Sequence, residues 1–197
     1  MKKIFTFVIL LITFLNFSNK AISIEADVFV QSTVNRASKV LSGNFSKEVK
    51  IEKLKSIAEE TVDIDILGLY TLGSHRKILN NDQKKEYKIL FRKYFLKSFS
   101  SRLAEYSNPE IQVNSKKQIS KNYTIVSSSL VATEKRPEVK IDWRIYTKDP
   151  ENPLIRDLII EGLSLARTQK EECMSILNMN DGDINSLFKT LEEFSKG

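Results

Sequence analysis

His75 is the only histidine of the chain and Cys173 its only cysteine. A site needing two imidazoles, a Cys-rich zinc module and an intrachain disulfide framework are therefore excluded. What remains that could do chemistry is sparse. Gly162-Leu163-Ser164-Leu165-Ala166 echoes the nucleophile elbow G-x-S-x-G, and it stands between a strand-like and a helix-like segment, as an elbow should. Its last glycine is Ala166, and the one histidine precedes the serine where the triad needs it to follow. Ser164 reads more simply as a helix N-cap. Asn178, Asn180, Asp181 and Asp183 suggest a calcium loop. Counted from Asn178, its sixth position is Asp183 and its twelfth Lys189, where an EF-hand needs Gly and Glu. Asp63 and Asp65 have the spacing of paired carboxylates, but read as solvated residues flanking a buried Ile64 and Ile66. His75, beside Ser74 and Arg76, reads as a surface or capped residue. There is no Gly-rich phosphate loop and no metal-ligand cluster. The residues point away from an enzyme, a metal or a cofactor.

The elements that would position any site begin with an export signal. Lys2 and Lys3 precede Ile4–Phe17, a nearly unbroken apolar run of 14 residues. That is short of the ~20 a membrane-spanning helix needs. Ala21-Ile22-Ser23 supplies a small-residue pattern, so the layout is that of a secretory signal peptide over residues 1–23, cut after Ser23 or Ala26. The lone Cys lies far from the cut, which excludes a lipoprotein. The segment carries Lys2, Lys3 and Lys20 and no acid, so the mature chain keeps 28 basic against 25 acidic side chains, a net charge of about +3. Charges so mild and interspersed argue against nucleic acid, which calls for a clustered basic stripe.

Residues 24–197 read as one domain. Val30, Val34, Ala37 and Leu41 mark an amphipathic helix ending near Gly43, and Ser46 caps a second carrying Ile51, Leu54, Ile57 and Ala58. Residues 63–73 are densely apolar. A long helix opens at Asn81 or Asp82, carries Tyr87, Phe91, Tyr94, Phe95, Phe99, Leu103 and Tyr106 on one broad stripe, and is stopped by Asn108-Pro109. The period then becomes two. Strands are expected over residues 110–118, 123–133, 139–146 and 154–161; the third alternates Val139, Ile141, Trp143 and Ile145 with polar residues. Short links favour an antiparallel meander. Helices over about 164–177 and 183–194, the latter capped by Asp183, close the chain. The fold class is α+β, with helices packed on a curled four-stranded antiparallel sheet. Periodicity does not distinguish a filled interior from a hollow one.

Three stretches resemble the MlaC, or toluene-tolerance, family of periplasmic phospholipid-shuttle proteins. Leu69-Tyr70-Thr71-Leu72-Gly73-Ser74-His75-Arg76, followed by Asp82-Gln83, is similar to that family's R-Y-V-L-G-like turn and the E-Q that opens its long helix. Ile141-Asp142-Trp143-Arg144-Ile145 resembles its V-D-Y-R-L strand, and Asp157–Leu165 its D-V-x-V-E-G-I-S-L. Arg76 and Pro153 stand where the family has Trp, and Gln169–Cys173 departs from its Y-R-x-x-F. The resemblance implies helices wrapped round a sheet that encloses an apolar cavity for glycerophospholipid acyl chains, with the head group near the mouth. It implies a monomeric periplasmic carrier between an outer-membrane lipoprotein–porin complex and an inner-membrane ABC transporter complex with a membrane-anchored substrate-binding subunit, maintaining outer-membrane lipid asymmetry. The expected lining is Leu69, Leu72, Phe91, Phe95, Phe99, Ile141, Trp143, Ile145, Leu158, Ile160 and Leu163. Arg76, Lys77, Arg144 or Arg167 would meet the phosphate. The alternative is a periplasmic polypeptide-binding module or chaperone without lipid.

Overall fold

A computed structural model describes residues 23–107, 109–134 and 136–196. The basic and apolar segment read as an export signal falls almost wholly outside the described residues. Helix α1 (Ala26–Ser42) buries Val30, Val34 and Leu41 and stops at Gly43. Helix α2 (Lys47–Thr61) starts where the Ser46 hydroxyl accepts the Val49 N–H. The apolar segment that follows is also helical, α3 (Ile64–Thr71), with the Asp63 carboxylate accepting the Ile66 N–H. This corrects the reading of Ile66 as buried. Helical spacing puts Ile64 inwards at 1% exposure and turns Ile66 out at 43%. Gly68 is required in α3, because a Cβ there would stand 2.8 Å from the Phe91 ring.

Helix α4 (Asn81–Leu103) opens with a reciprocal capping box between Asn80 and Gln83. It ends earlier than Asn108-Pro109 would dictate. The chain tightens after Leu103, where Ala104 and Tyr106 donate to the Ser100 and Leu103 carbonyls, and Tyr106 leaves the helix. Strands β1 (Ile111–Ser120), β2 (Tyr123–Leu130), β3 (Val139–Tyr146) and β4 (Leu154–Ile160) form the expected meander, and a two-residue β5 (Leu163–Ser164) adds a fifth strand. Glu161 and Gly162 make the β4–β5 turn with φ of 49° and 81°, which is the double positive φ of a type I′ hairpin. Helices α5 (Leu165–Met179) and α6 (Ile184–Lys196) complete the fold. Among the described residues, no helix is long and apolar enough to cross a membrane.

Among the described residues, the buried apolar side chains form two clusters where a fold of this size usually has one contiguous core. The first joins α3, α4, α5 and α6 around Tyr87, Phe91, Leu177 and Leu187. The second joins α1 to the concave sheet face through Val30, Val126, Trp143, Ile145 and Ile155. Three irregularities of register, in β1 and at Arg144/Ile145, help the sheet to curl.

The helical core contains a buried polar chain. Thr71 donates to the Gly68 carbonyl and faces the Tyr87 hydroxyl at 2.6 Å, and that hydroxyl lies 3.7 Å from the Cys173 sulfur. Burial pushes both the Tyr87 phenol and the Cys173 thiol above their ordinary values of 10.0 and 9.0. Above pH 9 the unfolded chain releases protons that the folded chain holds. Stability is therefore intact below that pH and falls as pH rises, by about 1.4 kcal/mol per pH unit for each group. Urea unfolding between pH 8 and 11 should show this decline, and in Tyr87→Phe the slope above pH 10 should be shallower by about one such group. Equal slopes in both proteins would refute the assignment.

Candidate functional site: an apolar slot between two cores

A cavity lies between α1, α2, the end of α4 and the sheet, lined more by the second cluster than by the first, which touches it at Ala58 and Phe99. Its walls are α1 (Thr33, Val34, Ala37, Ser38, Leu41), α2 (Leu54, Ile57, Ala58, Thr61, with Val62 beyond it), the end of α4 (Phe99, Leu103) and the concave sheet (Leu130, Val139, Ile141, Trp143, Ile155, Leu158, Ile160). Tyr106, Pro109, Ile111 and Leu165 complete it. It holds about 1060 Å³ of atom-free space, solvent at the open side included, and the centre of a water molecule can range over about 170 Å³ of it. Nearly all of the side chains that line it are apolar, so the space suits hydrocarbon.

The wall offers water almost nothing. The hydroxyls of Thr33, Thr61 and Ser38 donate to the carbonyls of Phe29, Ile57 and Pro109. The Trp143 indole N–H donates to Ser128, and that hydroxyl donates on to the Ile141 carbonyl. A buried water needs two to four polar partners. With these hydroxyl and indole protons already bonded, most of the slot favours hydrocarbon over water.

Phe99, Ile141, Trp143, Leu158 and Ile160 stand in this wall. Phe95 lies one ring further in, stacked on Phe99 at 5.3 Å, and borders a small side chamber with Leu67 and Gln169. Others of the expected lining stand elsewhere. Leu72, Phe91 and Ile145 have no exposure and belong to the closed cores, and Leu69 packs against the helical one. Leu163 is 65% exposed, because the tight β4–β5 turn reverses the chain just before it. Sequence reasoning recognised the apolar faces of α1 and α2 but did not set them opposite the sheet.

None of the four cations expected at the mouth lines this cavity. Arg76 and Lys77 share a surface hollow with Tyr70 and Lys170 just before α4, and from Asn81 that helix carries the chain about 27 Å before Phe99 reaches the slot. Arg144 alternates with Trp143 and so faces away from the concave side, into a cleft with Arg156. Arg167 is exposed in the first turn of α5.

The residues that suggested chemistry have structural duties. Ser164 has relaxed extended torsions (φ −73°, ψ 120°), accepts the Arg167 N–H, and donates to Asp157 at 2.6 Å. It is a cap, with none of the strain of a nucleophile elbow. Asp183 accepts from Asn185 and Ser186 at the head of α6. Asp65 bridges Lys88 and Arg92. Its burial alone would raise its pKa, but the hydrogen bonds from those cations outweigh that and lower it. Asp63 is not solvated. It pairs with Arg156 at 2.8 Å, with only 13% of its side chain exposed. Among the described residues, no group of His, Cys, Asp or Glu could hold a metal ion.

A curled antiparallel sheet wrapped by helices round a dry slot defines a class of protein built to enclose something apolar. The chain belongs to the MlaC family: the family model described as MlaC protein matches residues 31–193. Among solved structures, it is similar to the phospholipid-binding protein of Ralstonia solanacearum, determined in complex with a phospholipid. The TM-score is 0.73 and the identity 17%, over 88% of this chain and 98% of that one. No curated protein matches it by sequence.

Proposed function

We propose that this protein is a periplasmic carrier that holds the acyl chains of a glycerophospholipid in the slot and shuttles the lipid between outer- and inner-membrane complexes, preserving outer-membrane lipid asymmetry. The observation that carries the reading is an apolar cavity whose Thr33, Ser38 and Thr61 hydroxyls are bonded to backbone carbonyls. Family membership and the Ralstonia solanacearum phospholipid-binding protein support it. So does the chain's first segment, read as a cleaved export signal. The partners consistent with this role are an outer-membrane lipoprotein–porin complex and an inner-membrane ABC transporter complex with its membrane-anchored subunit. The carrier acts as a monomer and needs no cofactor and no bond chemistry.

Energetics explain why such a carrier is useful. Two acyl chains hold roughly 30 methylenes, each worth about 0.8 kcal/mol when buried, so exposing them costs about 24 kcal/mol. A barrier of that height gives a rate near 10⁻⁵ per second. A protein that keeps the tails dry removes most of it.

Organic-solvent extraction of the mature chain followed by mass spectrometry should yield about one glycerophospholipid per protein. Stripped protein should melt lower. A ligand at one hundred times its Kd stabilises by about 2.7 kcal/mol, and at ~2–4 °C per kcal/mol the loss is about 5–11 °C. Protein that purifies and melts identically with and without lipid exposure would favour the polypeptide-binding alternative.

A further inference from the structure

The cations expected at the mouth lie elsewhere, yet one arginine does stand beside the slot. The β2–β3 hairpin carries Leu130 and Val139 of the cavity wall on its two arms, and its tip closes through reciprocal backbone bonds between Thr133 and Arg136. From that tip the Arg136 guanidinium lies 5.7 Å from the ring centroid of Tyr106, and Tyr106 is itself a wall residue, 42% exposed. One guanidinium nitrogen, Nη2, donates to the Val131 carbonyl at 3.2 Å. Another, Nε, is buried without a hydrogen-bond partner among the described residues, and no described carboxylate pairs with this side chain. Two other cations at this end are already engaged: Lys47 with Glu105, and Lys50 with the Leu41 carbonyl.

A buried, unpartnered donor on a charged group is costly, and it marks a place where a partner is missing. The planar guanidinium fork matches the oxygens of a phosphate. Tyr106 is the most exposed residue of the cavity wall, so if acyl tails occupy the slot, the phosphodiester joined to them reaches water beside it. We propose that Arg136 binds the phosphate of the carried lipid, held in place by the Tyr106 ring and the Val131 carbonyl, and that it makes the carrier select phosphate-bearing diacyl lipids over neutral ones with the same tails. This rests on the lipid-carrier reading above and gives it a specificity residue.

The test incubates stripped protein with vesicles containing phosphatidylglycerol and diacylglycerol of identical tails, and mass spectrometry counts what the protein takes up. The wild type should prefer the phospholipid by tenfold or more. Arg136→Gln should take both lipids within about twofold of each other, its diacylglycerol uptake showing that the cavity is intact. Arg136→Lys should fall between. An Arg136→Gln protein that keeps the preference, one that loses both lipids, or a wild type that has no preference overturns the proposal while leaving the carrier reading in place. A wild type that takes up neither lipid overturns both.

Discussion

Ile141→Asp should reduce bound phospholipid to less than a tenth of the wild-type level. Ile141 is 8% exposed, lies in the cavity wall, and pairs across the sheet with Ser128 and with Ile160, another wall residue. A carboxylate there meets a largely apolar wall, and the hydroxyl of its cross-strand partner Ser128 already donates to the Ile141 carbonyl and accepts from Trp143. An unpaired charge in such a place costs several kcal/mol, relieved only by protonation or by drawing in water. Either outcome spoils the contact with acyl chains, and a tenfold loss requires only about 1.4 kcal/mol. Because the same change strains the fold, Ala37→Trp is the companion. Ala37 is half-buried in the α1 wall, and an indole there occupies the slot without burying a charge. Its lipid content should fall comparably while its melting temperature stays within a few degrees of wild type. Ser164→Ala, which removes the N-cap of α5 outside the cavity lining, should leave lipid content unchanged. Mass spectrometry of extracts from the three purified proteins decides. Full lipid content in Ala37→Trp would place the lipid outside this cavity.

These residues also show what sequence can and cannot reveal here. Strand β3 was plain because one face is buried and the other is not, so Ile141, Trp143 and Ile145 alternate with polar residues. Ser46, Ser164 and Asp183 were legible as caps because capping depends on one side chain and the next few N–H groups. The motif Glu161-Gly162-Leu163-Ser164-Leu165 was equally local, and the structure turns it into a type I′ turn followed by a cap. Helix α3 was harder, since eight residues with apolar groups on several sides leave no clear period. The cavity lay beyond reach for a different reason. Periodicity says that Val34, Ala37, Leu54 and Ala58 are turned from water, but not whether packed side chains or empty space lie opposite. Two of the column Phe91, Phe95 and Phe99 illustrate this: at the same helical spacing, Phe91 is sealed in the core and Phe99 borders the slot. Arg136 carried no local signal, because its surroundings come from Tyr106, thirty positions earlier in the chain, and from a hairpin that must close first.

The junction between α2 and α3 sets Val62 in the slot wall and is tied to the sheet, in good part by one arginine. Val62 forms a parallel bridge to Ile155, both wall residues, and the Asp63 N–H donates to the Ile155 carbonyl. Arg156 is the extra residue of the β4 irregularity opposite Arg144 and Ile145, and that position frees its side chain to turn back on the junction. Its Nε and Nη2 bond the Asp63 carboxylate at 2.9 and 2.8 Å, its Nη1 donates to the Tyr123 hydroxyl at 2.7 Å, and its plane lies 3.5 Å from the Tyr146 ring centroid. With 19% and 13% of the two side chains exposed, this pair is largely shielded from water. Arg156→Leu leaves Asp63 half-desolvated with no cation, and breaking such a pair typically costs about 3–5 kcal/mol. At ~2–4 °C per kcal/mol, the melting temperature should drop by about 6–20 °C. Arg156→Lys restores the charge but neither the fork nor the stack on Tyr146, so it should recover less than half of the loss. Adding Asp63→Asn to Arg156→Leu should cost less than the sum of the two single changes, because the stranded carboxylate is the common cause. Lipid content measured well below the melt should stay near wild type, which separates a weakened frame from the altered wall of Ile141→Asp. A drop of under 2 °C in Arg156→Leu would mean that the bridge between Val62 and Ile155 holds the junction without the ion pair.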